Sequence, residues 1–370
     1  MHLVHVVGTI SLESSGPSQS VPALCTALAQ LGHETELLYL DYGGRPEVTG
    51  VRTRAYPRTR VPGLRFAAWS AALFADLARM TRPDTIIHAH GLWHFPTIYP
   101  GWVHALRRTP LVISPRGTLA RWPLEQSRLR KNVSLALGQH YALRSAGFLH
   151  ATSDEEANDI RRFGLTNDIV VTPNCMSSAP IASSPVERSD AEVLFLSRLH
   201  PKKQVEVLLR AWPAVRAKRP DAQLTIAGPS EGGYRERLEA ETRTLGLEGV
   251  RFVGELRGEA KAEVLARASV FAFPTRDENF GMVVAEALQA GLLVVCSVNA
   301  PWSVLEHRGF GRWVEDSPEH FSEAILDVLG WTAEKKASAR DAGREYAAKE
   351  FSGKVALPLV DAYRKLLGRV

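Results

Sequence analysis

"VFAFPTRDENFGMVVAEALQAG" (residues 270–291) carries the pattern on which the fold turns. Four apolar residues, Val270 to Phe273, run into Pro274; a polar stretch follows, and Gly281 opens a helical segment that Gly291 ends. Strand, loop and helix in that order make one βα unit. A charge interrupts the helix: Glu286 stands within the otherwise apolar run Met282 to Leu288, eight positions after Glu278. The apolar face would bury Met282, Val283, Ala285 and Leu288. Backbone amides just after Gly281 lie at a helix start, where unpaired N–H groups favour a phosphate, and glycine lets a ligand approach closely. Glu278 would stand in the loop near whatever the phosphate carries. Glu286, roughly 7.5 Å further along the axis, could reach a second feature of the same ligand, such as ribose hydroxyls. A carboxylate among apolar side chains is costly unless hydrogen-bonded, and a diol is a good partner. The competing reading makes Glu278 a helix cap and leaves Glu286 facing solvent.

The same unit recurs along the chain. "HLVHVV", "TELLYL", "TIIHAH", "LVIS", "GFLHAT" and "DIVVTP" come first, then "VLFLS", "AQLTIAG", "VRFVG", "SVFAFP", "LLVVCS" and "GRWV". Short strands without polar alternation, separated by helix-length stretches, predict parallel sheets covered on both faces. Two such sets predict an α/β protein of two doubly wound domains, and 370 residues exceed one ordinary core. The expected boundaries are 1–175 and 191–350. The Ser-, Pro- and Ala-rich 176–190 would link them, and the 351–370 helix would pack back towards the first domain. No G-x-G-x-x-G follows the first strand and no G-x-x-x-x-G-K-[ST] occurs, so dinucleotide oxidoreductases and P-loop NTPases lose support. D-x-D is also absent.

A second constellation lies in "LFLSRLHPKKQVEVLLRAW" (194–212). Arg198 and Lys203 follow a strand end, where doubly wound folds bind ligands, and two cations there could neutralise a diphosphate. The alternative is a pair of surface charges before a helix, the role expected of Lys202 and Arg210.

Composition narrows the partners. Residues 1–150 hold 16 Arg/Lys against 8 Asp/Glu, or +8, which with +5 overall leaves −3 for the rest. Arg52, Arg54, Arg58, Arg60 and Arg65 meet no neighbouring acid, and Arg116, Arg121, Arg128, Arg130 and Lys131 meet only Glu125. An anionic partner, or simply a solvated basic face, fits this asymmetry. Aromatics beside the cations, in "RFAAWSAALFADLARM" and "LARWPL", suit a membrane headgroup layer. Nucleic acid is the weaker candidate, for want of a reading motif. Three scattered cysteines, Cys25, Cys175 and Cys296, predict neither a disulfide framework nor a metal knuckle. With no signal-like start and no long apolar run, a cytoplasmic location is expected.

Together, "ENFGMVVAEALQAG", "SRLHPKKQ", "LTIAGPSEGGY", "VRFVGEL" and "FAFPT" resemble the retaining glycosyltransferases of family 4, in that family's order and over most of 190–300. "SSGPSQSVPALCTALAQLGHE", "HAHGLW" and "ISPRGTL" extend the likeness, which is greatest to bacterial enzymes of exopolysaccharide and lipopolysaccharide assembly. The resemblance implies the GT-B fold, two Rossmann-like domains facing a central cleft, and a nucleotide-diphosphate sugar as donor. It implies Arg198 and Lys203 on the diphosphate, assisted by amides of Asn279, Phe280, Gly281, Met282 and Val283. Glu286 would hold the ribose and Glu278 the sugar hydroxyls, while Gly228, Gly254 and Pro274 border the nucleotide. Transfer with retention, without a required metal or other cofactor, agrees with the missing D-x-D. The acceptor would be a saccharide, lipid-linked, and the enzyme would work in the cytoplasm or peripherally at the inner face of the plasma membrane.

In the first half, Ser15 and Gly16 stand where many relatives carry Gly-Gly, beside donor phosphates or acceptor. His90, His94 and Arg116 are the remaining acceptor or sugar contacts; Arg116 occupies a position of a sugar-contacting histidine in several relatives. His88, His90 and His94 leave zinc ligation open against structural or acceptor-pocket roles. Gln204 replaces the family's usual glycine after the lysine. Other readings are a nucleotide-sugar epimerase, a phosphorylase, or a protein that binds nucleotide sugars without turning them over.

Overall fold

A computed structural model describes residues 1–11, 16–43, 46–59, 68–176, 183–230 and 232–368. Ser15, Arg60 and Arg65 lie outside the described residues. The chain divides into two compact units, Met1–Ser177 with Phe351–Val370, and Ser178–Glu350.

Unit 1 is built on seven strands: β1 (His2–Val7), β2 (Glu34–Leu40), β3 (Arg52–Tyr56), β4 (Thr85–His90), β5 (Leu111–Ser114), β6 (Phe148–Ala151) and β7 (Ile169–Val171). They pair in parallel in the order β3-β2-β1-β4-β5-β6-β7. Every residue of β1 and β4 is buried, as strands covered on both faces require. Successive side chains serve different cores. Val4 and Val6 pack with Leu38, Ile87 and Tyr99, whereas Leu3 packs with Leu24, Leu28 and Ile86. The second cluster includes Leu359, Val360 and Tyr363, so the C-terminal helix Leu357–Leu366 completes one face of this unit. Strand β3, "RTRAY", has no apolar run and escapes the sequence reading; it is a charged edge strand. Its Arg52 and Arg54 do meet an acid, Glu36 on the adjoining strand, at 3.6 and 3.0 Å.

Unit 2 holds β8 (Glu192–Leu196), β9 (Gln223–Ala227), β10 (Val250–Gly254), β11 (Val270–Phe273), β12 (Leu293–Ser297) and β13 (Gly311–Val314). Their order is β10-β9-β8-β11-β12-β13, again parallel throughout. Ahead of β8, Ser183 is tied to Glu259 and Arg188 to the carbonyls of Ala268 and Ala290.

In each sheet the strand order reverses once, between β1 and β4 and between β8 and β11. The carboxyl ends of strands at such a reversal splay apart and leave a crevice, the usual ligand position of a doubly wound sheet. Among the described residues, no helix is long and apolar enough to cross a membrane.

Candidate functional site

The reversal in unit 2 collects the charged residues of both sequence constellations. Strand β8 stops at Leu196, and Arg198 follows, half-buried. The chain then makes a short turn, Pro201–Lys203, in which the His200 ring accepts from the Lys202 amide at 3.1 Å. Gln204 closes the turn with φ of 49°, a left-handed conformation natural to glycine. A glycine, expected at this position from the resemblance, would take that conformation without strain.

The loop after β11 is laced to this turn. The Arg276 amide and the Thr275 hydroxyl both donate to the Lys202 carbonyl, at 2.9 and 3.3 Å. Lys203 pairs with the Glu278 carboxylate and lies 4.9 Å above the Phe273 ring, while Lys202 pairs with Asp277 at 2.9 Å. Lys202 is therefore part of the cluster and no simple surface charge. Burial works to raise the Glu278 pKa, but Lys203, then Lys202, and the Phe280 amide outweigh it and hold the carboxyl below its ordinary range. Glu278 is consequently ionised and bound to Lys203; it does not cap the following helix.

That helix, Met282–Gln289, starts from Gly281 with φ of 80°. A Cβ there would stand 3.0 Å from the Trp302 indole nitrogen and 3.4 Å from Glu278 Cγ. Trp302 in turn donates to the Phe280 carbonyl and packs edge-on against its ring. The turn of the helix buries Met282, Val284, Ala285, Ala287 and Leu288; Val283, expected in the core, is only half-buried. Glu286 is 8% exposed, which rules out the solvent-facing reading. One of its oxygens takes the Lys261 ammonium at 2.9 Å. The other, Oε2, is buried with no hydrogen-bond partner among the described residues. Pro274 and Phe280 are buried and Asn279 half-buried in the same loop.

Gly228 has a role inside the chain. Its φ is 144°, and a Cβ would fall 1.8 Å from the Ser197 carbonyl oxygen. Its amide donates to the Gly254 carbonyl at 2.7 Å, so the ends of β8, β9 and β10 converge at these glycines.

Unit 1 gathers a different group at its reversal. Gly16 opens the helix Gly16–Gln30, is exposed, and among the described residues has no non-neighbouring atom within 4 Å of where a Cβ would stand. His90 ends β4 and is buried, whereas His94 is exposed at the start of the helix Phe95–Arg107. Arg116, with φ of 56°, reaches Asn174, the His90 ring at 3.2 Å and the Ser20 hydroxyl at 3.5 Å. It makes no ion pair among the described residues, and burial lowers its pKa. Behind it runs a buried chain that sequence reasoning missed. Thr172 meets His150 at 2.7 Å, His150 meets Ser114 at 2.7 Å, Ser114 meets His88 at 3.0 Å, and His88 meets the Tyr363 hydroxyl at 2.6 Å. His5 and His90 are linked at 2.9 Å. Nitrogens of His5, His88 and His90 lie within 4.8 Å of one another, a spacing compatible with a metal ion. Yet both nitrogens of His88 and of His90 already have hydrogen-bond partners, so the donor set fits a structural network better than ligation.

Two doubly wound parallel sheets, one carrying a cation–carboxylate cluster at its reversal, define a protein of GT-B type. Residues 180–346 match the family described as glycosyl transferases group 1, and residues 15–175 match the glycosyl transferase 4-like domain. The chain is 30% identical to glycogen synthase of Mycobacterium tuberculosis over 355 residues, 86% of this chain and 81% of that one. It therefore belongs to the GT-B glycosyltransferases. It is also 33% identical over 173 residues to the phosphatidyl-myo-inositol mannosyltransferase of Mycolicibacterium smegmatis, 45% of this chain and 44% of that enzyme. That match spans less than half of the relative's own length. In fold, sucrose-phosphate synthase from Thermosynechococcus elongatus superposes with a TM-score of 0.78 at 20% identity, covering 100% of each chain.

Proposed function

We propose that the protein transfers a sugar from a nucleotide-diphosphate sugar to a saccharide acceptor, with retention and without a required metal. The observation that carries this reading is Glu286, whose buried Oε2 lacks a partner in the helix that starts beside the Lys203–Glu278 pair. A ribose diol supplies the hydroxyl donors such an oxygen wants. Arg198 and Lys203 then take the diphosphate, with the amides near Gly281, and Glu278 takes the sugar hydroxyls. Lys203 serves both ends, since it already touches Glu278. The bond from the sugar's anomeric carbon to the β-phosphate oxygen breaks as the acceptor oxygen bonds to that carbon on the same face. The acceptor's proton passes to the departing phosphate oxygen, and the two cations stabilise the diphosphate's growing charge. Gly16 falls to the donor phosphates, and Ser15, His94 and Arg116 to the acceptor side, with His90, buried and bonded to Arg116, acting there through that guanidinium.

The acceptor is read as lipid-linked and the setting as bacterial surface polysaccharide assembly at the inner face of the plasma membrane. The basic first half supports this, and so does the relative whose name specifies phosphatidyl-myo-inositol.

Thermal shift against UDP, GDP, ADP and their sugar conjugates tests donor binding, because a nucleotide at 100 times its dissociation constant stabilises by about 2.7 kcal/mol. With the donor identified, Arg198→Ala/Lys203→Ala should abolish transfer, and it should also lower the ligand-free melting temperature, because it leaves the Glu278 carboxylate without its Lys203 partner. Each charge-assisted contact contributes about 1.5–3 kcal/mol, so the pair is worth several powers of ten in rate. Full turnover by the double variant would exclude this assignment. Binding without transfer or hydrolysis, across many acceptors, would favour a silent nucleotide-sugar binder instead.

A further inference from the structure

Unit 1 carries a segment that exposes large apolar side chains among its cations. Residues 128–145 run as a helix, Arg128–Ser134, a π turn, Leu135–Gln139, and a second helix, His140–Ser145. The inner side buries Ser134, Gln139, Ala142 and Leu143. Leu129, Val133 and Leu137, spaced four apart, are 78, 44 and 43% exposed, and Tyr141, beyond the break at Gly138 with its φ of 120°, is 44% exposed. Four of the ten large hydrophobic side chains exposed among the described residues thus fall within thirteen positions. Isolated exposed leucines need no explanation; a ladder of them does.

The charge around the ladder has one sign. Arg128, Arg130, Lys131 and Arg144 lie in a stretch, 126–153, that contains no Asp or Glu. Beside the segment is a groove of about 550 Å³, with Trp93, Leu124 and Phe163 among its apolar walls and Arg121, Arg128 and Lys131 among its cations. Its one lining acid, Glu125, is paired with Arg121 at 3.3 Å. The Trp93 indole N–H, buried in a groove-lining residue, has no acceptor among the described residues.

We propose that residues 128–145 and this groove dock unit 1 on an anionic phospholipid leaflet. The ladder enters the acyl boundary, and a lipid phosphate lies on the cations at the groove. Apolar residues flanked by Arg and Lys are what an interfacial helix uses: the aliphatic face gains burial and the cations gain the leaflet's negative potential. Nucleic acid would satisfy the cations and leave Leu129 in water. A second copy of the chain, meeting through the same patch, would oppose cation to cation. This surface deepens the lipid-linked acceptor reading above but stands on separate observations.

Co-sedimentation of the full chain with vesicles, without donor or acceptor, tests it independently of any transfer reaction. Phosphatidylcholine vesicles containing phosphatidylglycerol should bind the chain, increasingly weakly as salt rises, and phosphatidylcholine alone should not. Arg128→Glu/Arg130→Glu should weaken partitioning by about fivefold or more for each cation removed. Leu129→Ser/Val133→Ser/Leu137→Ser should weaken it by about tenfold or more. If the triple variant melts early, Leu129→Ser alone, at the most exposed rung, carries the comparison. Wild-type protein left in the supernatant with both vesicle types would overturn the proposal. So would variants that sediment like wild type, an RNA duplex that outcompetes the anionic vesicles, or self-association that the serine changes abolish without any effect on vesicle binding.

Discussion

Glu286 holds one oxygen on Lys261 and keeps the other buried, without a partner among the described residues. Leaving a buried carboxylate oxygen unsatisfied costs free energy that the fold alone does not recover, so the residue is better explained by a ligand than by stability. Glu286→Gln keeps the shape and removes the charge. It should weaken binding of the preferred nucleotide by about tenfold or more, since a hydrogen bond to a charged group contributes about 1.5–3 kcal/mol. Calorimetric titration reads this directly, and the ligand-free melting temperature should move little. Unchanged affinity would return Glu286 to a purely structural pairing with Lys261. The sequence exposes Glu286 because a charge in an apolar run is conspicuous. Lys261 is not visible in the same way: in "GEAKAEVLAR" it looks like any lysine of an amphipathic helix, and only the packing of that helix beside Met282–Gln289 brings it to 2.9 Å.

Glycines separate two kinds of constraint at the level of strands and loops. Gly228 is needed by the chain itself, because its φ of 144° is strained for any other residue and its missing Cβ makes room for the Ser197 carbonyl. Gly16 has ordinary φ and open space around it. Gly228→Ala should therefore lower stability by about 3 kcal/mol or more, from backbone strain together with displacement of the β8 loop. Gly16→Ala should leave stability unchanged or slightly raised and affect only ligand approach. Urea midpoints of the two variants distinguish them; equal midpoints would contradict this assignment. Strands were legible wherever both faces are covered, because continuous apolar runs such as "VFAF" and "LVVC" admit few other readings. Strand β3 was not, since an edge strand needs little apolar surface and its arginines answer to Glu36, which is distant in sequence. On the Met282–Gln289 helix the expected burial of Met282, Ala285 and Leu288 holds and Val284 is buried in place of Val283, since the two valines are chemically identical and only the packing decides between them.

At the scale of the whole molecule, the buried histidine group of unit 1 is a pH lever. His5, His88, His90 and His150 are at most 2% exposed, on three strands of one sheet, with the Arg116 guanidinium beside His90. Burial foremost, and then Arg116 and the other histidines, press their pKa values down, to about 3 for His5 and for His150 and well below 6.5 for His88 and His90. His5 and His150 are neutral in the folded chain at pH 5 and His88 and His90 are held towards the neutral form, whereas in the unfolded chain all four titrate near 6.5. Between about pH 6.5 and about pH 3 the unfolded state consequently binds more protons, and stability rises with pH across that window. The contribution is complete above pH 6.5 and is lost as the pH falls. Its limiting slope is about 1.4 kcal/mol per pH unit for each histidine that stays neutral. Melting temperature should therefore drop steeply between pH 7 and pH 5, and calorimetry in buffers of different ionisation enthalpy should record proton uptake on unfolding at pH 5. Replacing His150 with glutamine, which keeps polar atoms for Ser114 and Thr172, should flatten the dependence by one histidine's share. A melting temperature constant from pH 7 to pH 5 would mean that the group carries protons in the folded state, and the chain from Thr172 to Tyr363 would then need a different pattern of donors and acceptors.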